Sequence, residues 1–292
     1  MHPAHSAIVF TTASGAGYGL LALLGLLSAS SILPADRWFA VVAFALSLGA
    51  VTVGLVWSSF HRGHPQGAIK AYSQWRTSWL SRTLVLAAAT YVPAVVFAIG
   101  WIFYAQTDGI FRALGLATTV LCGFTVYATG MIYATLEPIH AWCNRWVVPN
   151  FLALALLTGT LWLTALVVLF GRPGPDISMV LVLALFLSFY LKRKYWRFID
   201  ATPAGQTTFE TSEMGDPIAR KDVEKLRRYA FVLLFAIPLI CSLAASGETA
   251  WLAIPASLLA ALSASLGVVI ERRLFFAEAR HAATPHDSAD FA

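Results

Sequence analysis

The sequence predicts an all-α membrane protein: eight transmembrane helices arranged as four hairpins, with the N- and C-termini on the cytoplasmic side. Three observations carry that expectation. The 292 residues are 58% hydrophobic and 12% charged, at a mean hydropathy of +0.70, whereas a soluble domain carries about 25% charged residues. Eight apolar stretches follow one another with no Asp, Glu, Lys or Arg inside any of them. When the connections are assigned alternately to two faces, all of the 20 Lys and Arg except Arg37, Arg112 and Arg172 fall on the face holding both termini. By the positive-inside rule that face is cytoplasmic.

The first stretch, 7–33, follows only Met1-His-Pro-Ala-His-Ser6. It lacks a positive n-region and is too long for a signal-peptide core, so it is expected to stay as a helix. Within it, Ser14-Gly-Ala-Gly-Tyr-Gly19 sets Gly15 and Gly19 four residues apart on one face. That spacing lets two helix backbones approach closely; the functional alternative is a slot for a flat ring beside Tyr18. The stretches 38–60, 83–104, 113–136 and 147–170 each reach the roughly 20 residues that cross a hydrocarbon core. The sixth and seventh, 177–191 and 229–246, are shorter and gain length if Lys192, Arg193 and Arg228 snorkel. The eighth is 249–270. Pro93, Pro238 and Pro255 predict kinks whose freed carbonyls neighbouring helices or water must satisfy.

Residues 1–281 thus form one transmembrane domain, and 282–292 is expected to be a disordered tail. The segment 192–228 reads as a cytoplasmic loop, the one sizeable piece outside the membrane. Its opening can extend the sixth helix, and Arg220 to Arg228 has the mixed charge of a solvated helix leading into the seventh. Tyr195, Trp196, Arg197 and Phe198 give it an aromatic and basic surface suited to docking another subunit.

Several function classes are excluded. No soluble catalytic domain fits, and the formal charge of +5 lies in membrane-proximal loops, which suits anionic lipid and not nucleic acid. The seven histidines, at 2, 5, 61, 64, 140, 281 and 286, all lie outside the apolar stretches, so two helices cannot hold a haem between histidines. Cys122, Cys143 and Cys241 have no C-x-x-C spacing, and no metal centre is expected in this chain. No carboxylate lies inside an apolar stretch, which disfavours a proton pump or ion-coupled transporter. An eight-helix facilitator or assembly factor remains the alternative of a different class.

Chemistry gathers between the second and third stretches, in Phe60-His-Arg-Gly-His-Pro-Gln-Gly67 and Ala71-Tyr-Ser-Gln-Trp-Arg-Thr-Ser-Trp-Leu-Ser-Arg82. Two-electron quinone chemistry also moves two protons, and a histidine with a pKa near 6.5 at a membrane boundary suits that task. His61, Arg62, His64, Trp79 and Arg82 are the candidate quinone-binding residues; an ordinary basic interfacial loop would have the same composition.

His2-Pro-Ala-His-Ser6 with Phe10-Thr-Thr-Ala-Ser-Gly-Ala-Gly-Tyr-Gly-Leu20, the His61-x-Gly63-x-Pro65 pattern, Ser78-Trp-Leu-Ser-Arg82, Gly130-Met-Ile-Tyr-Ala-Thr-Leu136, Tyr195-Trp-Arg-Phe-Ile-Asp200 and Leu274-Phe-Phe-Ala-Glu-Ala-Arg-His281 occur in that order. Together they resemble the membrane anchor subunits of dimethyl sulfoxide reductase-type molybdoenzymes, and among them the anchors of cytoplasmic sulfite-oxidising (quinone) complexes. The resemblance implies a non-catalytic, haem-free subunit of eight helices in the bacterial inner membrane. It implies two partners, an iron-sulfur electron-transfer subunit and a molybdopterin catalytic subunit, and ubiquinone or menaquinone as the electron-exchanging substrate. The quinol-associated histidine of the family would fall on His61, with His64 as the fallback. Where family members commonly continue Ser-Arg with Glu, this chain has Thr83, so His61, Glu137 or an ordered water would take over that carboxylate's protons. Cytoplasmic partners would suit sulfite oxidation; the same-family alternative is a reductase anchor that oxidises menaquinol.

Overall fold

The computed structural model describes residues 3–28, 32–34, 36–60, 74–137, 139, 141–171, 175–201, 220–245 and 250–278. No β-strand occurs among the described residues. Helix α1 spans Pro3–Leu27, α2 Arg37–Phe60, α3 Trp79–Tyr104, α4 Ile110–Ala134, α5 Val147–Leu169 and α6 Pro175–Asp200. Helix α7 runs on from Arg220–Phe231 through a π-helical turn, Val232–Ala236, to Ile237–Ala245, and α8 spans Ala250–Ala277. Seven of these, α1 to α5 with α7 and α8, are long and apolar enough to cross a membrane. This is a multi-pass membrane protein. In α6 the apolar part 177–191 runs without a break into Lys192-Arg-Lys194 and on to Asp200.

Within the segment 192–228, residues 192–200 extend α6 and 220–228 form the start of α7, as the residue pattern at its two ends predicts. Tyr195 and Ala230 are drawn into the bundle core and hold their turns helical. The expected tail, 282–292, lies outside the described residues.

Helices α1 and α5 form the centre. Helix α1 packs on α2, α4, α5 and α8, and α5 also meets α4, α6 and α8. Small residues set the closest crossing: a Cβ added to Gly19 would lie 1.8 Å from the Ala155 carbonyl oxygen, and one on Gly159 would lie 2.3 Å from the Gly19 carbonyl carbon. Without a hydrophobic force between helices in lipid, such backbone contact carries much of the association. Gly19 is thus a packing residue, while Gly15 meets nothing within 4 Å and lines a small cavity.

Interior hydroxyls are satisfied mainly within their own helices. Thr11, Ser14, Thr90, Thr118, Thr125, Thr129 and Thr158 each donate to the carbonyl four residues back, as a buried hydroxyl in an apolar medium must. Just before Pro238 the helix leaves regular α geometry for a π-helical turn. In the π-helical turn Ile237 N–H donates to Val232 O, so the next donor in that pattern would be residue 238, which as proline has none. Ser263 of α8 supplies it instead, its Oγ donating to Leu233 O at 2.9 Å.

Burial reaches past the uncharged stretches. Lys192, Glu271 and Arg272 are 1–2% exposed, and Glu271 and Arg272 lie within the candidate span Trp251–Ala277. They sit just past the uncharged residues, at a bundle end where α5, α6 and α8 close over them.

Candidate functional site

The start of α3 is built around an arginine clip. Ser78 precedes the helix in extended conformation, and the turn 74–77 before it is tied by Thr77 N–H and Ser78 N–H donating to Gln74 O. Arg82, one turn into α3, reaches back over this turn: its Nε donates to Trp75 O at 3.0 Å and its Nη2 to Arg76 O at 2.7 Å. Its guanidinium lies 4.2 Å from the centre of the Trp79 ring, and Trp79 meets Tyr127 of α4 edge-on at 6.1 Å. Trp79 and Arg82 are half-buried, while Trp75 is exposed. The sequence-predicted pair Trp79 and Arg82 is thus brought together. His61, Arg62 and His64 lie outside the described residues. Thr83, where the family commonly has Glu, is buried, and its Oγ1 donates to Trp79 O at 3.0 Å.

A second group of polar residues, which sequence reasoning missed, lies where the C-terminal ends of α6 and α8 meet the N-terminal part of α7. Lys192 Nζ donates to Glu271 Oε1. Glu271 Oε2 stands 3.4 Å from Arg272 Nε. Arg227 bridges two carboxylates, Nε to Glu278 Oε1 and Nη1 to Asp200 Oδ1, both at 2.8 Å. Three cations face three carboxylates, so the cluster is neutral as a whole, as a buried ionic group must be. The aromatic walls contribute too: Lys192 Nζ lies 4.3 Å from the Tyr195 ring centre, and the Arg272 guanidinium 3.6 Å from that of Phe151, geometries in which a ring face attracts a desolvated cation. Burial pushes the Glu278 carboxyl above its usual range, against the pull of Arg227.

This end is sealed by stacked aromatics. Tyr133 of α4 packs on Phe151, Phe275, Phe276 and Trp142 at 5.4–5.6 Å, and Trp142 Nε1 donates to Phe275 O at 2.9 Å. Three of the sequence patterns singled out above, around Tyr133, Tyr195 and Phe275, therefore meet in one core. A signal was present in helical spacing. Glu271, Phe275 and Glu278 share one face of α8, and Lys192, Tyr195 and Trp196 one face of α6.

Among the expected docking residues, Tyr195 is 1% exposed, with its hydroxyl donating to Ala141 O at 3.3 Å. It is a packing residue and not part of a surface. Trp196 and Phe198 are half-buried and Arg197 is exposed. Beneath the cluster, Thr12, Tyr18, Thr129, Thr158 and Arg272 surround the cavity beside Gly15. At about 10 Å³ it has room for one water molecule. The slot for a flat ring considered for this place is ruled out by volume.

Known proteins bear on both groups. A sulfite dehydrogenase subunit of Allochromatium vinosum is 31% identical over 322 aligned positions, which cover 96% of this chain and 97% of that protein. The DMSO reductase anchor subunit (DmsC) family matches residues 1–277, a span holding the Arg82 clip and, except for Glu278, the whole ionic cluster. The chain belongs to the DMSO reductase anchor subunit (DmsC) family.

Proposed function

We propose that this chain is the membrane anchor and quinone-interacting subunit of a molybdopterin and iron-sulfur oxidoreductase complex, and that electrons pass from sulfite through the partner subunits into quinone. The observation that carries this reading is the family match along residues 1–277, which includes the segment joining α2 to α3. The name of the Allochromatium relative supports sulfite as the electron source. A menaquinol-oxidising anchor is the second reading, favoured by the family's own name.

Eight crossings, four hairpins and cytoplasmic termini in the bacterial inner membrane complete the proposal, with α6 as the eighth span. The charge asymmetry supports it. Reporter fusions after His281 are expected to read cytoplasm, and fusions at Asp36, Asp108 and Asp176 the opposite side; reversed signals would overturn the orientation and the preference for cytoplasmic sulfite oxidation.

In this mechanism His61 hydrogen-bonds a quinone carbonyl and passes a proton from cytoplasmic water. Reduction to quinol takes up two electrons from the partner's nearest cluster and two protons from that side. Trp79 offers the ring face that Arg82 does not cover. Arg82 has two nitrogens engaged with backbone carbonyls, which aims the guanidinium, and Nη1 is left to face a developing negative charge. Thr83 has its hydroxyl proton committed to Trp79 O, so the relay is assigned to His61, with Glu137 or an ordered water as its substitutes and His64 as the fallback. Docking of the iron-sulfur subunit is assigned to the protruding ends of α6 and α7, through Trp196, Arg197 and Phe198.

The test is His61→Ala in an assembled complex, assayed with quinone and with a soluble dye that bypasses the membrane. Quinone-coupled turnover is expected to fall by roughly 10- to 1000-fold, the usual value of a positioned acid-base group, with dye activity kept. Equal loss in both assays would assign His61 a structural role, and no loss in either would move the role to His64.

A further inference from the structure

Between the outer ends of α6 and α7 lies an open groove of about 550 Å³. Arg193, Arg197, Arg227 and Arg228 line it, with Asp200 and Glu224 opposing them and Phe231 and Val232 at its inner edge. Arg227 is locked by Glu278 and Asp200. The other three are free to act. Arg193 and Arg197 are exposed, with no ion pair among the described residues, and the Arg228–Glu224 pair is more than 70% exposed on both sides, where such a pair holds weakly.

The depth of the groove distinguishes between occupants. At 1.5 Å per residue, Arg193 stands about 3 Å beyond the last apolar residue of α6, Leu191, and Arg197 about 9 Å beyond it. On α7, Arg227 and Arg228 immediately precede the apolar stretch that begins at Tyr229. The headgroup layer is roughly 5–7 Å thick on each side of a bilayer, so Arg193, Arg227 and Arg228 fall inside it, while Arg197 stands beyond it, on the side assigned to partner docking. Below them the lining turns apolar: Phe231 is half-buried and Val232 is 43% exposed. A cationic rim above an apolar slope that faces lipid complements a molecule carrying phosphate at one end and hydrocarbon at the other.

We propose that this groove binds an anionic phospholipid, its phosphate held by Arg193 and Arg228 and its acyl chains lying along Phe231 and Val232. A soluble acidic partner segment would match the arginines but not the apolar slope at membrane depth. The proposal rests on α6 crossing the membrane, and on nothing in the quinone reading. The reporter fusion at Asp176 tests that crossing separately.

The experiment is native mass spectrometry of the purified chain, released from detergent after incubation with cardiolipin, phosphatidylglycerol or phosphatidylcholine, for the wild type and for Arg193→Gln/Arg228→Gln. The wild type is expected to retain cardiolipin and phosphatidylglycerol over phosphatidylcholine. The double variant should bind the anionic lipids about 25-fold more weakly, in line with about fivefold for each basic residue at a lipid surface. Arg37→Gln/Arg112→Gln, changed at other helix ends, should bind like the wild type. Equal retention of phosphatidylcholine, undiminished binding by Arg193→Gln/Arg228→Gln, or displacement of lipid by inorganic phosphate at millimolar concentration would each overturn the proposal. So would retention lost to the same degree in the Arg37/Arg112 control. A matching circular dichroism spectrum and elution volume for Arg193→Gln/Arg228→Gln separate loss of binding from loss of fold.

Discussion

Arg82 and Arg272 are both arginines beside an aromatic ring in a membrane helix, and they are stabilised by different means. Arg82 sits half-buried at the start of α3, where its Nε and Nη2 donate to the carbonyls of a turn that water can also reach. Arg272 is 2% exposed, and its Nε has no hydrogen-bond partner among the described residues. It depends on Glu271 at 3.4 Å and on the Phe151 face. A charge at the boundary can be held by the backbone and solvent. A charge inside needs a counter-charge, and the counter-charge needs its own, which is why Lys192, Glu271 and Arg272 occur together.

The comparison breaks most clearly at Glu271. Glu271→Gln leaves Lys192 and Arg272 without the carboxylate each is paired with, and uncompensated buried charge costs about 3–5 kcal/mol. The expected result is a large fall in the yield of monodisperse protein and in its detergent unfolding temperature. Adding Lys192→Met to Glu271→Leu should restore at least half of what Glu271→Leu alone loses, because a buried ion pair replaced by apolar residues is often close to neutral. No recovery in the double variant would show that the pair does more than balance charge.

Ser263→Ala probes a smaller interior effect. The Ser263 hydroxyl serves the carbonyl that Pro238 leaves open, and an unsatisfied buried acceptor costs about 1–3 kcal/mol. The unfolding temperature should drop measurably. In a Pro238→Ala background the same Ser263→Ala change should cost little, since residue 238 would then carry the missing N–H.

Arg82→Gln should show the smallest stability change, under about 1 kcal/mol, as for a solvent-screened surface charge. Its quinone-coupled turnover should nevertheless fall by about 10-fold while dye activity is kept, the value of one electrostatic donor in a site being at least that large. A stability loss comparable to that of Glu271→Gln would place Arg82 in the same class as Arg272 and end the distinction.

Of the α2–α3 region, the start of α3 was legible in the residue order, while the His61-x-Gly63-x-Pro65 pattern lies outside the described residues. Ser78-Trp-Leu-Ser-Arg82 points to that start, and Trp79 and Arg82 do come together there. What the pattern does not show is that Arg82 spends two of its nitrogens on backbone carbonyls, because those contacts depend on how the chain turns at 74–77. The aromatic run at 195–198 was legible as functional surface, yet Tyr195 is internal; a run of aromatic residues has no direction until its helix has a neighbour.

Apolar stretch lengths, the charge asymmetry and the small-residue spacing at Gly19 are properties of the chain itself, because transfer from water to lipid is summed residue by residue along a helix. They determined a multi-pass helical protein and a close crossing at Gly19. Which boundary charges would be buried was decided only by tertiary structure. Lys192, Glu271 and Arg272 each follow an apolar stretch and read as water-facing ends. Burial depends on which helices lie alongside, and here the Tyr133, Trp142, Phe151, Phe275 and Phe276 rings close one end of the bundle above them. Electrostatics then requires that the enclosed charges pair across α6, α7 and α8, helices whose partners the order of residues does not name.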